Sequence, residues 1–332
     1  MMFSFLSSKK QTTVSVYETE RMRKILEERA SAKVSKEASI LSKRNKKEKV
    51  LFAVVFVLFA LYALSLIFPF LYMFMNSLKS SNEYLLQDSN LTFPKEWLFS
   101  NYISAFTEME VKNSIGESIY FPMMFVNSVW YSLLCTVSGV FASALTSYCV
   151  AKYNFKLRGV LYGLAIFSMT IPIVGNTGSF FKLINQLGLY NSPLYAIAAN
   201  FGGFGFNFLV LYGFFRSLSW SYAEATFIDG GGHATVFFRI MLPQAWPAMF
   251  TLCIMAFIGA WNDYMTMILY LPDFPTIASG LYKVQSSIQR GDGGEYPVYY
   301  AALLIACVPI IALFAAFSDI IMSNFTIGGL KE

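Results

Sequence analysis

The sequence predicts an all-α integral membrane protein with six transmembrane helices. Hydrophobic residues make up 56% of the 332 residues and charged residues only 14%, whereas ordinary soluble domains have roughly 25% charged residues. The chain also has 33 Phe, 20 Tyr and 5 Trp. A soluble domain of this size cannot bury so much aromatic surface, but a bilayer can accept it on lipid-facing helices.

Six apolar runs are each long enough to cross a hydrocarbon core of about 30 Å, which takes roughly 20 helical residues. They are Val50–Met75, Phe121–Val150, Gly159–Phe181, Leu194–Phe214, Ala248–Leu271 and Val298–Met322. Pro172 and Gly175 interrupt the third run, and membranes tolerate such breaks where neighbouring helices or a cavity satisfy the freed backbone groups. Two polar segments, Asn76–Tyr120 and Pro272–Pro297, are predicted to be structured loops or short helices outside the bilayer.

The positive charge is concentrated before the first run. Residues 1–49 contain 13 Lys/Arg and 6 Asp/Glu, whereas the rest of the chain contains 12 and 14. This position favours an interaction with the membrane surface over one with nucleic acid. Within this leader, Glu18–Ala32 has apolar residues at helical spacing, which is typical of a helix along the inner leaflet or of a solvated helix.

The same residues predict the orientation. If the N-terminus is cytoplasmic, the cytoplasmic segments hold 19 Lys/Arg and the external segments hold 6, so both termini are expected in the cytoplasm. The predicted organisation is a basic cytoplasmic leader at 1–49, a first helix at 50–75, an external segment at 76–120, a transmembrane domain at 121–323 and a cytoplasmic tail at 324–332.

Several kinds of chemistry are excluded by composition. His233 is the only histidine, which excludes metal sites that need two histidines. The four cysteines are widely spaced inside apolar runs, which argues against a disulfide framework and a zinc site. The sequence contains no GxxxxGK[ST], so ATP hydrolysis would need another subunit. We therefore expect no catalytic residue, no metal and no cofactor on this chain.

Between the fourth and fifth runs, Ser221–Pro243 is predicted to form a cytoplasmic helical hairpin. Ser221 and Glu224 have the spacing of a capping box at a helix start. Gly230, Gly231 and Gly232 favour a helix end and a sharp bend. Pro243 suits the first turn of a new helix, where its missing N–H is harmless. The second helix resumes through Phe237, Phe238, Ile240 and Leu242.

This hairpin resembles the cytoplasmic signature of the permease family of ATP-binding-cassette (ABC) importers: Glu-Ala-Ala, three residues, Gly, nine residues, Ile-x-Leu-Pro. Here Glu224-Ala225 begins the signature, Gly230 follows at the expected spacing, and Ile240-Met241-Leu242-Pro243 closes it. Thr226 departs from the usual second alanine. The resemblance covers roughly residues 50–332 and implies a type I ABC importer permease fold.

In such a permease, the hairpin would be the coupling helix that docks in a cleft of a separate ATPase. The implied coupling residues are Glu224, Ala225, Thr226, Asp229, Gly230, Ile240, Leu242 and Pro243. The alternative is that Glu224 only caps its own helix and the glycines only turn the chain.

Other stretches are similar to the carbohydrate-uptake branch, which includes the maltose permeases. They are Trp261-Asn262-Asp263, Leu187-Gly188-Leu189 with Asn191, and the glycine-rich ending from Phe325 to Lys331. Sugars need aromatic faces and amide or carboxylate partners, so Trp261, Asn262 and Asp263 are candidates for the substrate pathway. Alternatively, Asn262 and Asp263 only satisfy neighbouring helix backbone.

The implied function is the permease subunit of a carbohydrate importer in the bacterial plasma membrane. The implied partners are a dimeric ATPase that uses ATP and Mg²⁺, a second permease of different sequence, and an extracellular sugar-binding protein. The loop from Asp273 to Pro297 would meet the binding protein. The alternative is an ion-coupled secondary transporter, which usually has inverted repeats and carboxylates near the midplane.

Overall fold

The structure is a computed structural model that describes residues 46–86, 91–171 and 175–325. Three sequence predictions therefore lie outside the described residues: the leader up to residue 45 with the helix at Glu18–Ala32, the break at Pro172, and the tail from residue 326. The chain divides at Pro69 into two compact units, residues 1–69 and 70–332.

The described part of the first unit is helical. Helix α1 spans Lys46–Ser77 and contains Pro69. Within the first unit, the side chains from Val50 to Phe68 are exposed or half-buried, although nearly all are apolar. Because apolar side chains cover its whole circumference, this helix is suited to an apolar environment.

The second unit contains the remaining elements. Its helices are α2 (Ser81–Leu85), α3 (Ser100–Thr107), α4 (Phe121–Lys152), α5 (Arg158–Thr170), α6 (Thr177–Gln186), α7 (Leu194–Ala198), α8 (Phe206–Ser217), α9 (Ser221–Ile228), α10 (His233–Trp261), α11 (Met265–Tyr270), α12 (Ile277–Arg290) and α13 (Tyr296–Phe325). Strands β1 (Glu110–Lys112) and β2 (Ser118–Tyr120) form an antiparallel hairpin in which Val111 pairs with Ile119.

Four helical segments of the described chain are long and apolar enough to cross a membrane. They are Glu48–Ser77, Phe121–Lys152, His233–Trp261 and Tyr296–Asp319, and they overlap the first, second, fifth and sixth predicted runs. The fifth begins earlier than the predicted Ala248, because the second arm of the hairpin continues directly into it. It also ends at Trp261 and not at the predicted Leu271, because α11 is a separate helix.

The third and fourth predicted runs are not continuous helices. Within Gly159–Phe181, α5 ends at Thr170 and α6 begins at Thr177. Within Leu194–Phe214, α7 ends at Ala198 and α8 begins at Phe206. The sequence predicted the interruption of the third run from Pro172 and Gly175. It did not predict the break in the fourth run, because hydropathy counts apolar residues but not hydrogen bonds.

Helix α4 forms the centre of the second unit. It begins after Tyr120 with Pro122 in its first turn, where the missing N–H is harmless. It packs against α8 and α10 in a core that includes Val140, Ala144, Phe208 and Leu252. Small residues such as Ala144 on α4 allow a close approach of neighbouring helices, which is the usual packing mode in membranes.

The break in the fourth run rests on α4. Gly203 has a φ of 70°, in the left-handed region that favours glycine. The Thr146 hydroxyl donates to the Gly203 carbonyl oxygen at 2.8 Å and also to the Ala142 carbonyl oxygen at 2.8 Å. A Cβ atom on Gly203 would lie 2.8 Å from Thr146 Cγ2. A backbone carbonyl outside any helix thus obtains a partner from α4, as an apolar surrounding requires.

The two predicted external segments contain a small structured region, which we call the platform: α2, α3, the β1–β2 hairpin and α12. Helix α12 begins with a capping box in which Thr276 accepts from the Ser279 N–H. A buried cluster at the N-terminal end of α4 joins α3, β1, α12 and α13, and it includes Ala105, Val111, Phe121, Ile277 and Ala302. Hydrophobic burial therefore fixes the platform to the helix bundle.

Gly203→Ala should destabilise the folded chain by about 2–4 kcal/mol, because it combines a left-handed backbone with an overpacked contact. Thermal unfolding in detergent micelles measures the loss. Gly202→Ala is the matched control, because no described atom lies within 4 Å of its Cβ position, and it should change stability by less than about 0.5 kcal/mol. Equal effects of the two substitutions would contradict the packing of Gly203 on Thr146.

Candidate functional site

The turn of the helical hairpin is a complete Schellman motif at the end of α9. Gly230 has a φ of 80°. Its N–H donates to the Phe227 carbonyl oxygen at 3.0 Å, and the Gly231 N–H donates to the Thr226 carbonyl oxygen at 2.8 Å. These two bonds satisfy carbonyl groups that the helix end would leave free. The left-handed residue explains why glycine is required at position 230.

The hairpin closes tightly at Gly231. A Cβ atom there would lie 2.7 Å from Thr226 Cγ2 and 3.0 Å from the Thr226 carbonyl oxygen. The Thr226 hydroxyl donates to the Tyr222 carbonyl oxygen at 2.8 Å, which satisfies it within its own helix. Threonine at this position, in place of the family's alanine, therefore fits the turn.

The predicted capping box at the start of α9 is wrong. The helix begins after Trp220, so Ser221 lies inside its first turn. The Ser221 N–H donates to the Ser219 hydroxyl at 3.3 Å, and the two serine hydroxyls are 2.7 Å apart. This local pair replaces the expected Ser221–Glu224 exchange, and the Glu224 side chain is exposed.

Helix α9 has one packed side and one open side. Ala223 is fully buried, and Thr226 and Phe227 are half-buried. The open side consists of Tyr222, Glu224, Ala225, Ile228 and Asp229. Ile228 is 86% exposed, more than any other large apolar side chain that the structure describes.

Aromatic side chains hold the hairpin against the C-terminal end of α4. The Tyr153 hydroxyl lies 2.8 Å from His233 Nδ1, and the rings of Phe227 and His233 are 5.0 Å apart. The Tyr148 and Phe237 rings are 4.9 Å apart. Such pairs add to the stability that area burial supplies. The hairpin is therefore held firmly on its packed side.

The second arm of the hairpin enters the membrane span without a gap. Val236–Met241 is π-helical, and Pro243 lies in the first turn of the α-helical stretch that follows. The Leu242 N–H donates to the Phe237 carbonyl oxygen, five residues back. Pro243 therefore occupies a first turn, as predicted, but the chain reaches it from a π-helical turn and not from a loop. Ile240 and Leu242 are half-buried and Pro243 is exposed.

The predicted pathway residues lie at the opposite end of α10. The α-helical stretch Leu242–Trp261 has 20 residues, so Trp261 lies about 30 Å from the end of the hairpin at 1.5 Å per residue. Trp261 is buried and packs on Phe125 and Phe257, at ring distances of 5.8 Å in both cases. In this conformation its ring is covered by protein.

Asn262 and Asp263 occupy the gap between α10 and α11. The exposed Asn262 amide donates to the Ile258 carbonyl oxygen at 2.8 Å. Asp263 accepts from the Thr266 N–H at 3.0 Å and from the Tyr131 hydroxyl at 3.3 Å. The carboxylate thus holds the start of α11 and links it to α4.

A further polar cluster was not predicted from the sequence. Asp273 accepts bonds from the Ser114 hydroxyl, from the Ser114 N–H at 2.9 Å, and from the Asn191 amide. The Asp273 N–H donates back to Asn191 Oδ1 at 3.1 Å. The cluster joins the β1–β2 turn, the α6–α7 turn and the segment before α12. The residue that could have indicated it in the sequence is Asn191, a residue type common in turns; its φ is 55°, a conformation that asparagine tolerates.

These bonds lower the pKa of Asp273, chiefly through the Ser114 hydroxyl, with smaller contributions from Asn191 and the positive charge of Lys283. Burial lowers the pKa of Lys283. Among the described residues, no group of three or more His, Cys, Asp and Glu is arranged to hold a metal ion.

The platform contains an open cleft of about 790 Å³ between α3, β1 and α12. It is lined by charged side chains, such as Glu108, Lys112 and Arg290, and by apolar ones, such as Met109 and Val284. This mixed lining suits a contact with a polar protein surface or a polar ligand.

Comparison with known protein families gives a match over residues 136–326. The family is described as the inner membrane component of binding-protein-dependent transport systems. The matched region covers more than half of the chain, from the middle of α4 to the end of the described residues, and includes the whole hairpin.

Individual relatives match over most of their length. The arabinooligosaccharides transport system permease protein AraQ of Bacillus subtilis is 30% identical over 280 residues, which is 82% of this chain and 93% of AraQ. The diacetylchitobiose uptake system permease protein NgcG of Streptomyces coelicolor is 29% identical over 282 residues, which is 84% of this chain and 89% of NgcG.

A solved structure has the same fold. It is a chain of a bacterial ABC transporter involved in the import of the acidic polysaccharide alginate. The TM-score is 0.68 at 21% sequence identity, and the alignment covers 83% of this chain and 98% of that chain.

Asp273 should make stability depend on pH. Because its folded-state pKa is lowered, its contribution is present above the unfolded value of about 3.9 and is lost as pH falls through the folded value. The difference in Tm between the wild type and Asp273→Asn should be largest near neutral pH and should shrink below about pH 4. Thermal unfolding in detergent at a series of pH values measures it.

Asp292→Asn is the control for this measurement. Asp292 pairs with Arg290 at 2.7 Å, but both side chains are about 60% exposed, and exposed pairs contribute little. A Tm difference for Asp273→Asn that stayed constant from pH 7 to pH 3 would contradict the role given to its carboxylate.

Proposed function

The chain belongs to the family of inner membrane components of binding-protein-dependent transport systems, and from this premise we propose how it works as the permease subunit of an ABC importer. It is a transport subunit and not an enzyme. Family membership also decides against the ion-coupled secondary transporter. The proposal concerns topology, coupling, substrate and partners.

The proposed topology has six membrane crossings with both termini in the cytoplasm. Four long helices account for four crossings. The pairs α5/α6 and α7/α8 would each form a broken crossing, which is tolerated where other helices satisfy the backbone. The excess of Lys/Arg on the hairpin side supports a cytoplasmic hairpin. The membrane would be the bacterial plasma membrane.

The hairpin would be the element that docks on a partner ATPase. The observation that carries this proposal is the open side of α9, where Ile228 is 86% exposed. The turn beside it is held by two backbone hydrogen bonds and by the aromatic contacts with the end of α4. Ile228 shares this side with Tyr222, which is 50% exposed, and an exposed apolar patch rimmed by polar residues marks a protein interface. Glu224, Ala225 and Asp229 share this open side. ATP and Mg²⁺ would be bound by the ATPase.

The remaining proposed coupling residues would act from within the hairpin. Gly230 and Thr226 shape the turn, as the bonds above describe. The helix continues without a gap from the second arm of the hairpin into the rest of α10. A displacement of the hairpin would therefore be transmitted to α10 through Ile240, Leu242 and Pro243. Coupling of this kind needs a lever with two packed arrangements.

The substrate would be a carbohydrate. Both relatives reported above are named for oligosaccharide uptake, arabinooligosaccharides for one and diacetylchitobiose for the other. Asn262 and Asp263 would face the pathway, because polar groups in a membrane span tend to face a cavity or a partner. Trp261 would support them from its buried position. An extracellular binding protein would deliver the sugar to the platform, and a second permease of different sequence would complete the pathway.

Ile228→Asp should reduce ATP-dependent uptake by at least about tenfold, because a charge replaces the apolar contact that the partner would bury. Uptake into proteoliposomes and co-purification of the ATPase are the measurements. Leu157→Asp is the control, because Leu157 is 61% exposed in the neighbouring α4–α5 connection and should leave uptake unchanged. Normal ATPase recruitment by Ile228→Asp would contradict the docking role of α9.

Asp263→Asn should raise the KM for the sugar by about tenfold, because a charge-assisted hydrogen bond to a hydroxyl is lost. Tyr131→Phe is the control, because it removes the hydroxyl that donates to Asp263 while leaving the carboxylate. It should raise KM much less. If both variants have the same KM as the wild type, Asp263 has no role in the pathway. If Tyr131→Phe reproduces the whole effect, the role of Asp263 is structural.

A further inference from the structure

Two buried side chains of α4 bind the backbone at the start of α12. The Asn127 amide donates to the Pro275 carbonyl oxygen at 3.0 Å. The Ser128 hydroxyl accepts from the Ile277 N–H at 2.8 Å. Asn127 is 2% exposed and Ser128 is 0% exposed. The Trp130 indole donates to Asn127 Oδ1 at 3.0 Å, which fixes the orientation of the amide.

The hydrogen bond from the Ile277 N–H to Ser128 satisfies a backbone group that α12 cannot satisfy itself. The first N–H groups of a helix have no partner within the helix. Thr276 caps the Ser279 N–H, and Ser128 on a different helix takes the Ile277 N–H. The start of α12 is therefore complete only when α4 lies against it.

Close packing supports the same junction. Gly280 on α12 faces Met124 on α4, and a Cβ atom on Gly280 would lie 2.2 Å from Met124 Sδ. Met124 and Gly280 are both buried. Met124, Asn127 and Ser128 are spaced so that they lie on one side of α4. One surface of α4 thus contacts α12 through both packing and hydrogen bonds.

The opposite end of α4 contacts the hairpin. Tyr148 packs on Phe237, and the Tyr153 hydroxyl bonds His233. Both junctions lie on one unbroken helix of 32 residues, in which Ser128 and Tyr148 are about 30 Å apart along the axis. The runs that contain α5 and α6, and α7 and α8, are interrupted. A continuous helix transmits displacement along its axis better than an interrupted one.

We propose that Asn127 and Ser128 are positioning residues that fasten α12 to α4, so that the platform helix and the hairpin move as one body. The functional meaning of this junction rests on the proposed function: an event at the external face would reach the ATPase side through α4. The side chains act through the backbone of α12 and touch no substrate.

Spin labels can measure the junction on the purified full-length chain. In a variant whose four cysteines are replaced by alanine, cysteines at the exposed positions Gln289 and Asp229 carry labels on α12 and on the hairpin. The wild-type background should give one narrow distance distribution. Ser128→Ala and Asn127→Leu should each add a second population, because loss of a buried partner shifts a local equilibrium by about tenfold.

Ser147→Ala is the matched control. Ser147 is also on α4 and 0% exposed, but its hydroxyl donates to the Ala144 carbonyl oxygen within the same helix at 3.1 Å. Ser147→Ala should leave the distance distribution narrow. Ser128→Thr, which keeps the hydroxyl that Ser128→Ala removes, should also give the narrow distribution of the wild type. An unchanged distribution in both Ser128→Ala and Asn127→Leu would overturn the proposal, as would equal broadening by Ser147→Ala.

A second measurement separates this proposal from the proposed function. In the transporter purified with its ATPase and binding protein, Ser128→Ala should reduce the stimulation of ATP hydrolysis by the binding protein about tenfold while basal hydrolysis changes by less than about twofold. Unchanged stimulation would overturn the role in coupling. If the wild type assembles with no ATPase, the proposed function fails, and the distance distributions still decide whether α4 and α12 move together.

Discussion

Backbone groups that leave a helix inside an apolar environment must find partners within the protein, and in this chain α4 supplies many of them. Thr146 donates to the carbonyl of Gly203, where the fourth run is broken. Tyr131 donates to the Asp263 carboxylate, which in turn accepts the Thr266 N–H where α11 begins. Ser128 accepts the first N–H of α12. A helix whose apolar surface is interrupted by Ser, Thr, Asn and Tyr can therefore support neighbours that are not continuous.

This dependence explains which parts of the fold could be predicted. Length and hydropathy predicted the runs that became α1, α4, α10 and α13, because a long apolar helix satisfies its own backbone. They did not predict the gap between α7 and α8. The glycines around Gly203 are compatible with helix packing and with a break, and the choice depends on Thr146, more than fifty residues earlier. The start of α9 was mispredicted because the Ser219 hydroxyl accepts the Ser221 N–H and pairs with the Ser221 hydroxyl.

The hairpin could be predicted further than the rest of the site because its determinants are local. The left-handed residue at Gly230 follows from the spacing of a helix end and a glycine. The aromatic contacts between the hairpin and the end of α4 could not be predicted, since Tyr153 and His233 are 80 positions apart and meet only in the folded chain. The same limit applies to Asp273, whose partners Ser114 and Asn191 come from two other turns. Local motifs identify a site, whereas its support comes from contacts that are distant in sequence.

Two helices of the second unit, α4 and α10, lead away from the hairpin, and they do so differently. Helix α10 carries the hairpin at its start and leads directly to Asn262 and Asp263 at its end, so a displacement of the hairpin moves the backbone of the proposed pathway. Helix α4 lies beside it and touches the hairpin through rings and α12 through buried hydrogen bonds. Rings can slide over one another at small cost, whereas a buried N–H that loses its acceptor costs about 1–3 kcal/mol. The junction of α4 with α12 is therefore the costlier of the two contacts to break, and the hairpin moves with α4 and α12 as long as its ring contacts and the Tyr153–His233 bond hold.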